Sequence, residues 1–176
     1  MGIPENAFLL LSVGELNKNK NHEIVIRALA KLNNSDMHYV IVGKGDLYDY
    51  LIDMSRKLGI EKQVHLVGFR NDVKDIYKAS DLFVFPSFRE GLSVSLMEAI
   101  ASKIPVICSN IRGNVDLVIE TSLFNPTDVR DVVDKISNHV SMINIKEVNE
   151  NYINLMRCSS KEIVKRMNSI YSRNYI

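Results

Sequence analysis

The stretch that decides the fold begins Asp81-Leu82-Phe83-Val84-Phe85-Pro86. It continues through Phe88-Arg89-Glu90-Gly91-Leu92-Ser93-Val94-Ser95 and closes with Leu96-Met97-Glu98-Ala99-Ile100. Its opening is a short apolar run, which reads as a buried strand, and its close reads as a helix. Glu90 then lies in the strand-to-helix loop, and Glu98 is expected about two turns into the helix. At about 1.5 Å rise per residue the two carboxylates stand roughly 10 Å apart. The N–H groups of Gly91 to Val94 would point into the gap, where a helix N-terminus favours a phosphate. Two glutamates at this spacing are common by chance. Context gives them weight: Glu98 lies among Leu96, Met97, Ala99 and Ile100, where an unpaired charge is costly.

Strand and helix signals alternate outward from this stretch. Phe8 to Val13 is an apolar run ending at Gly14. His22 to Leu32 carries apolar residues at helical spacing. His38 to Val42 reads as the second strand, closed by Gly43-Lys44-Gly45. Leu47 to Leu58 is amphipathic, with Gly59 as its C-cap. Val64 to Val67 is the third strand, ending at Gly68. Val73 to Ala79 is a short helix with Asp72 as a candidate cap. Pro105 to Cys108 and Ser122 to Phe124 read as strands, and Asn125-Pro126-Thr127-Asp128 caps a helix running to Val140. Ile145 to Met156 and Lys161 to Tyr171 read as two tail helices, the second opened by the cap-like Ser159-Ser160-Lys161-Glu162.

Such alternation predicts an α/β fold, a doubly wound, mostly parallel Rossmann-like sheet with helices on both faces. Residues 1–143 are expected to form one ligand-binding domain, with the helices of 144–176 packed on it. Ligands of such sheets bind beyond the carboxyl ends of the strands. The glycine loops at Gly14, Gly43 and Gly68 share that edge with Glu90.

Composition excludes several classes. The 176 residues carry a formal net charge of +1, which gives no basic surface for nucleic acid. The apolar runs are too short to cross a bilayer, and no signal peptide precedes them. Cys108 and Cys158 have no metal-like spacing and imply no disulfide framework. Cys108 reads as a small buried hydrophobe, and a reducing cytoplasm is expected. Four dispersed histidines make no metal cluster. His65 reads as structural and His139 as a helix-surface residue. Neither G-x-G-x-x-G nor a P-loop occurs, which argues against nicotinamide cofactors and ATPase chemistry. Lys18-Asn19-Lys20-Asn21-His22, between the first strand and the first helix, suits a diphosphate: backbone donors, a helix N-terminus and a cation.

Together these stretches resemble the C-terminal, donor-binding domain of the GT-B retaining glycosyltransferases of family 4. The resemblance rests on Leu11-Ser12-Val13-Gly14 with Lys20 and His22, on Val40-Ile41-Val42-Gly43-Lys44-Gly45, and on Val67-Gly68-Phe69-Arg70-Asn71-Asp72-Val73. It continues through Ala79-Ser80-Asp81, Glu90-Gly91-Leu92 and Glu98-Ala99, then Ile104-Pro105-Val106-Ile107 and Ile111-Arg112-Gly113-Asn114. It implies that Glu90 holds hydroxyls of the donor sugar and Glu98 those of the ribose. Gly14 and the backbone of Gly91, Leu92 and Ser93 would meet sugar and diphosphate, and Lys20 would neutralise the leaving group. Gly68, Phe69, Arg70 and Asn71 would enclose the base. The implied catalytic residues are Glu90 and Lys20. The donor is a nucleotide sugar, a UDP-sugar first, with no further cofactor and no metal, since preorganised protein donors stabilise the departing diphosphate.

Two departures stand out. Where the family commonly has arginine after the first loop glycine, this chain has Glu15. Either its carboxylate turns away from the diphosphate, or Lys18 or Lys44 supplies the missing charge. The first strand also follows Met1 almost at once, so the N-terminal acceptor-binding domain is expected as a separate partner. The implied parent transfers a hexose or N-acetylhexosamine to a glycan or lipid-linked acceptor in polysaccharide synthesis. It would be peripheral at the inner face of the membrane through that missing domain, and this chain alone is expected to be inactive. A non-catalytic nucleotide-sugar-binding module or subunit of a split glycosyltransferase, and half of a nucleotide-sugar epimerase, are the competing readings. The epimerase would need acid–base groups that the sequence does not display.

Overall fold

A computed structural model describes residues 2–141, 145–159 and 161–162. Its centre is a six-stranded sheet of β1 (Phe8–Val13), β2 (Met37–Val42), β3 (Val64–Gly68), β4 (Leu82–Phe85), β5 (Val106–Ser109) and β6 (Leu123–Phe124). The order is β3-β2-β1-β4-β5-β6, and every neighbouring pair is parallel. The sequence reversal falls between β1 and β4, which makes that junction the switch point of the doubly wound fold. All strand carboxyl ends share one edge, with Gly14, Gly43, Gly68 and Glu90 at or just beyond it. Two backbone bonds stitch this edge: Gly14 N–H donates to Val42 C=O and Gly43 N–H to Gly68 C=O, each at 2.9 Å.

Helices cover both faces. One face holds α1 (His22–Leu32), α2 (Tyr48–Lys57) and α5 (Val129–Ser141). Their Ile24, Val25, Leu51, Val132 and Ile136 join Tyr39, Ile41 and Val84 in one apolar layer. The other face holds α3 (Val73–Lys78), α4 (Val94–Ala101) and α6 (Ile145–Arg157). There Tyr77, Leu96 and Ile100 pack on Val40, Phe83 and Phe85. β2 and β4 are buried on both sides, which is why β4 is continuously apolar and β2 is so apart from His38.

α6 is anchored to this second face. Asn151 Oδ1 accepts the Ile119 N–H at 2.8 Å, and the Lys103 ammonium lies 4.9 Å from the Tyr152 ring centre. The second expected tail helix falls almost wholly outside the described residues. At its expected start, the Glu162 N–H donates to Ser159 Oγ at 3.4 Å.

Three local expectations are corrected. Asp72 occupies the N-cap position of α3 but makes no side-chain cap bond. Its carboxylate is taken by Arg70, through Nε at 2.8 Å and Nη2 at 2.5 Å. Glu98 is the fifth residue of α4, little more than one turn in, because the helix begins at Val94. His139 is not a surface residue. It is 7% exposed, donates from Nδ1 to the Lys135 carbonyl at 2.8 Å, and brings Nε2 to 3.5 Å from Glu147 of α6.

Candidate functional site

Lys20 and Glu90 meet at the switch point. Lys20 belongs to the β1–α1 loop and Glu90 to the β4–α4 loop, yet Lys20 Nζ donates to Glu90 Oε1 at 2.7 Å. Their side chains are only 19% and 15% exposed. The lysine stem lies along Gly14, where an added Cβ would stand 3.2 Å from its Cδ and Cε, and its ammonium sits 5.0 Å from the centre of the Phe85 ring. The two loops are laced together around the pair. Phe88 N–H donates to the Asn19 carbonyl at 2.8 Å, and Asn19 Nδ2 donates to the Arg89 carbonyl at 2.9 Å. Asn21, in left-handed conformation at φ 51°, uses Nδ2 to reach the Pro86 and Pro126 carbonyls at 3.2 and 2.9 Å.

Beneath this loop runs a buried chain of polar side chains. The Glu15 carbonyl faces His22 Nε2 at 3.3 Å, and His22 Nδ1 faces the Tyr39 hydroxyl at 3.1 Å. Tyr39 Oη donates to Ser12 Oγ at 2.7 Å, which donates to the Val84 carbonyl at 2.5 Å. Carbonyl acceptors close both ends. A neutral imidazole, a phenol and a hydroxyl bring three protons to these four contacts. With Tyr39 and Ser12 donating onward, the single imidazole proton serves one of the two His22 contacts and leaves the other without one. Burial drives the His22 pKa down to about 4, against the Glu15 carbonyl, which raises it, while the Lys20 charge lowers it further. Burial likewise raises the Tyr39 hydroxyl far above its ordinary value.

The β4–α4 turn presents free donors. Ser93 caps α4, its Oγ accepting the Leu96 N–H at 3.4 Å. Among the described residues the N–H groups of Gly91, Leu92 and Ser93 donate to no protein acceptor. Gly113 holds the turn from behind: a Cβ there would collide with the Gly91 carbonyl oxygen and lie 2.6 Å from that of Glu90. Three buried polar atoms without a partner among the described residues, Ser87 Oγ, Ser109 Oγ and Asn114 Oδ1, also lie beyond or at the carboxyl ends of β4 and β5.

Glu98 occupies a separate groove. Its expected burial is corrected: the residue is exposed. Successive helix residues turn by about 100°, so Leu96, Ala99 and Ile100 share the core face and Glu98 falls opposite. It lines a groove of about 810 Å³ with Val13, Phe69, Arg70, Asn71 and Tyr77. The Tyr77 hydroxyl stands 3.3 Å from Glu98 Oε2 and 3.0 Å from the Ser95 carbonyl. Burial first, then the Glu98 charge, raises the Tyr77 hydroxyl above its ordinary pKa. Phe69 is 69% exposed at the groove mouth, and Gly68 carries the turn into this loop at φ +70°.

The expected residues therefore fall into two groups. Glu98, Phe69, Arg70 and Asn71 line the groove. Lys20, Glu90, Gly91, Leu92 and Ser93 stand together at the switch point, outside its lining. Glu15 has an exposed carboxylate that accepts from Asn17 Nδ2 at 2.8 Å. The residues not foreseen are Tyr77, which touches Glu98, and the lacing pair Asn19 and Asn21. Asn-rich 17–21 was the available signal, since asparagine readily bonds nearby backbone.

Comparisons with known proteins agree with this architecture. The family Glycosyl transferases group 1 matches residues 1–154, and the chain belongs to that family. An Escherichia coli relative, UDP-Gal:alpha-D-GlcNAc-diphosphoundecaprenol alpha-1,3-galactosyltransferase, is 40% identical over 127 residues, covering 67% of this chain and 32% of its own length. A Campylobacter jejuni N-acetylgalactosaminyltransferase acting on a diphospho-undecaprenol-linked sugar is 40% identical over 101 residues, 57% of this chain and 27% of its own. The chain thus spans about a third of the first relative and less of the second. Anabaena HepE, solved in complex with UDP, superposes with a TM-score of 0.82 at 23% identity, over 96% of this chain and 49% of that one. The C-terminal domain of a group 1 glycosyl transferase from Francisella tularensis gives 0.75 at 23% identity, over 89% and 87%. At that identity the two structures show the fold alone. Among the described residues no helix is long and apolar enough to cross a membrane.

Proposed function

We propose that this chain is the donor-binding part of a retaining glycosyltransferase that takes a UDP-sugar and delivers a hexose or N-acetylhexosamine to a glycan or lipid-linked acceptor. The observation that carries the reading is Glu98: an exposed carboxylate, touched by Tyr77, set in one groove with Phe69, Arg70 and Asn71. A carboxylate accepts from two vicinal hydroxyls, which is the chemistry of a ribose, and Phe69 offers an apolar face to a base. The diphosphate then lies toward the free N–H groups of Gly91, Leu92 and Ser93, where Lys20 supplies a cation. Charge that develops as the diphosphate leaves is stabilised by these preorganised donors, so the proposed site requires no metal. Glu90 receives hydroxyls of the sugar.

The relatives support the donor and acceptor classes. The E. coli enzyme is named for UDP-Gal and for a diphosphoundecaprenol-linked sugar, and HepE was solved with UDP. The main acceptor-binding wall, which holds the reacting end of the acceptor, and any membrane association are assigned to a further domain, as are the conditions for transfer itself.

Titration calorimetry with UDP in chelator tests this reading. Glu98→Ala should weaken binding by about 1.5–3 kcal/mol, the range for hydrogen bonds to a charged group. Equal affinity of variant and parent would remove the ribose from Glu98 and the reading with it.

A further inference from the structure

A second cavity, of about 480 Å³, opens on the opposite face of the sheet, between the first turn of α1, the start of α2 and the β4–α4 loop. Its size lies within the range of small-molecule sites, about 300–1,000 Å³. Two aromatic rings stand at it half in solvent: Tyr50 is 45% and Phe88 41% exposed. Tyr50 is held in place, its hydroxyl donating to Glu23 Oε2 at 2.8 Å, while Glu23 Oε1 is gripped by Arg27 at 3.0 and 2.6 Å. Asn17, Lys18, Asn21 and His22 add to the polar lining. The Lys18 ammonium has no partner among the described residues.

We propose that this cavity is a subsite for one sugar unit of the acceptor, a reading that rests on the proposed transfer activity. Pyranose rings have an apolar C–H face, which suits an exposed aromatic ring, and a hydroxyl rim, which suits carboxylate, amide and ammonium groups. Other occupants fit less well. A purely apolar ligand would bury the polar groups of this lining, the Lys18 ammonium among them, without offering them a partner. A nucleotide is placed by the proposed function in the groove of Glu98, Phe69, Arg70 and Asn71 on the other face.

Position supports the assignment independently. The cavity wall is made from the two loops that carry the Lys20–Glu90 pair: Lys18 and Asn21 flank Lys20, and Phe88 lies two residues before Glu90. The backbone bond from Phe88 to Asn19 fastens the aromatic wall to the lysine loop. A sugar seated here lies against the same two loops that bear the pair, and the groove of Glu98 lies on the other face of the sheet.

The test uses the whole chain and aromatic-edited NMR titration with the methyl glycosides of glucose, galactose and N-acetylglucosamine. At least one should shift the ring resonances of Tyr50 and Phe88 in a saturable way. Tyr50→Ala and Phe88→Ala should each weaken that glycoside by roughly tenfold, the loss expected when an aromatic contact is removed. Tyr50→Phe keeps the ring and should retain most of the binding. UDP affinity of Tyr50→Ala should equal the parent's, so a failed nucleotide reading is detected separately. Absence of ring shifts with all three glycosides up to their solubility overturns the proposal. So do shifts that survive both alanine variants, or equal shifts from cyclohexanol, which would mark the cavity as an apolar contact surface for another domain.

Discussion

Acid should unfold this protein through His22. The imidazole is 3% exposed, and burial, which outweighs the Glu15 carbonyl, lowers its pKa from 6.5 to about 4. The unfolded chain keeps the ordinary value. Between those two values the unfolded state binds a proton that the folded state refuses, so falling pH favours unfolding. The contribution is intact above about pH 6.5, declines through the window and levels off below about pH 4. At about 1.4 kcal/mol per pKa unit, the whole step is about 3 kcal/mol. His38 and His65, which face each other at 2.9 Å, also have pKa values lowered chiefly by burial and add in the same direction. His22→Gln removes one titrating group and leaves the others. Urea unfolding followed by circular dichroism, at steps between about pH 7 and pH 4, reads the difference. The variant should lose about 3 kcal/mol less than the parent across the window. Parallel curves would refute the argument, for they would mean that His22 is not held neutral beneath the Lys20 loop.

The site residues make further predictions. Lys20→Ala should weaken UDP much more than uridine by calorimetry, because it removes an ammonium donor and leaves the Glu90 charge unbalanced beside the diphosphate; equal losses would take Lys20 away from the phosphate. Gly113→Ala should destabilise the fold by about 1–3 kcal/mol, the usual range for overpacking, since its Cβ meets backbone at Glu90 and Gly91 that cannot swing aside. Gly91→Ala is the contrast, with no atom within 4 Å of its added Cβ, and should leave the melting temperature nearly unchanged. Similar melting temperatures for the two variants would show that the turn is not braced from behind.

Much of the scaffold was readable because its signals are local. β1, α1 and β4 have the bounds their apolar patterns predict, and α2, β3 and β5 differ by a residue or two. β5 starts at Val106 rather than Pro105, whose nitrogen has no proton for the ladder. The exposure of Glu98 was available from helical angle and was obscured by its apolar neighbours in sequence. Other features were not local. Lys20 and Glu90 are 70 residues apart, and their pairing needs β1 and β4 side by side. His139 becomes buried only because α6 returns with Glu147. The chain from Glu15 to Val84 draws on β1, α1, β2 and β4 at once, and no periodicity in any one of them announces it. The Glu98 groove was half legible: the loop at Phe69 and the helix at Glu98 each signalled a rim position, but Tyr77 lies on an intervening helix with an ordinary core pattern.

The Lys20–Glu90 pair gives the proposed site a selectivity that neither residue provides alone. Without ligand the two charges cancel at 2.7 Å in a half-buried position. A diphosphate arriving there finds no net cation in the pair, so its first attraction comes from the free N–H groups of the β4–α4 turn. An ammonium has three donors, and Lys20 spends one on Glu90. It can turn another to a phosphate oxygen, but drawing it away leaves a carboxylate that is only 15% exposed without its partner. A nucleoside diphosphate supplies nothing to replace that bond. In the proposed site a nucleotide sugar would, its hydroxyls donating to Glu90 as Lys20 turns toward the phosphate. One ion pair is then exchanged for two contacts, at opposite ends of the sugar–phosphate bond that is to break. On the proposed reading, once the sugar has left, Glu90 would again lack a donor, and its attraction for Lys20 would oppose retention of the diphosphate. In the proposed reaction the same pair favours entry of the intact donor and release of the spent one.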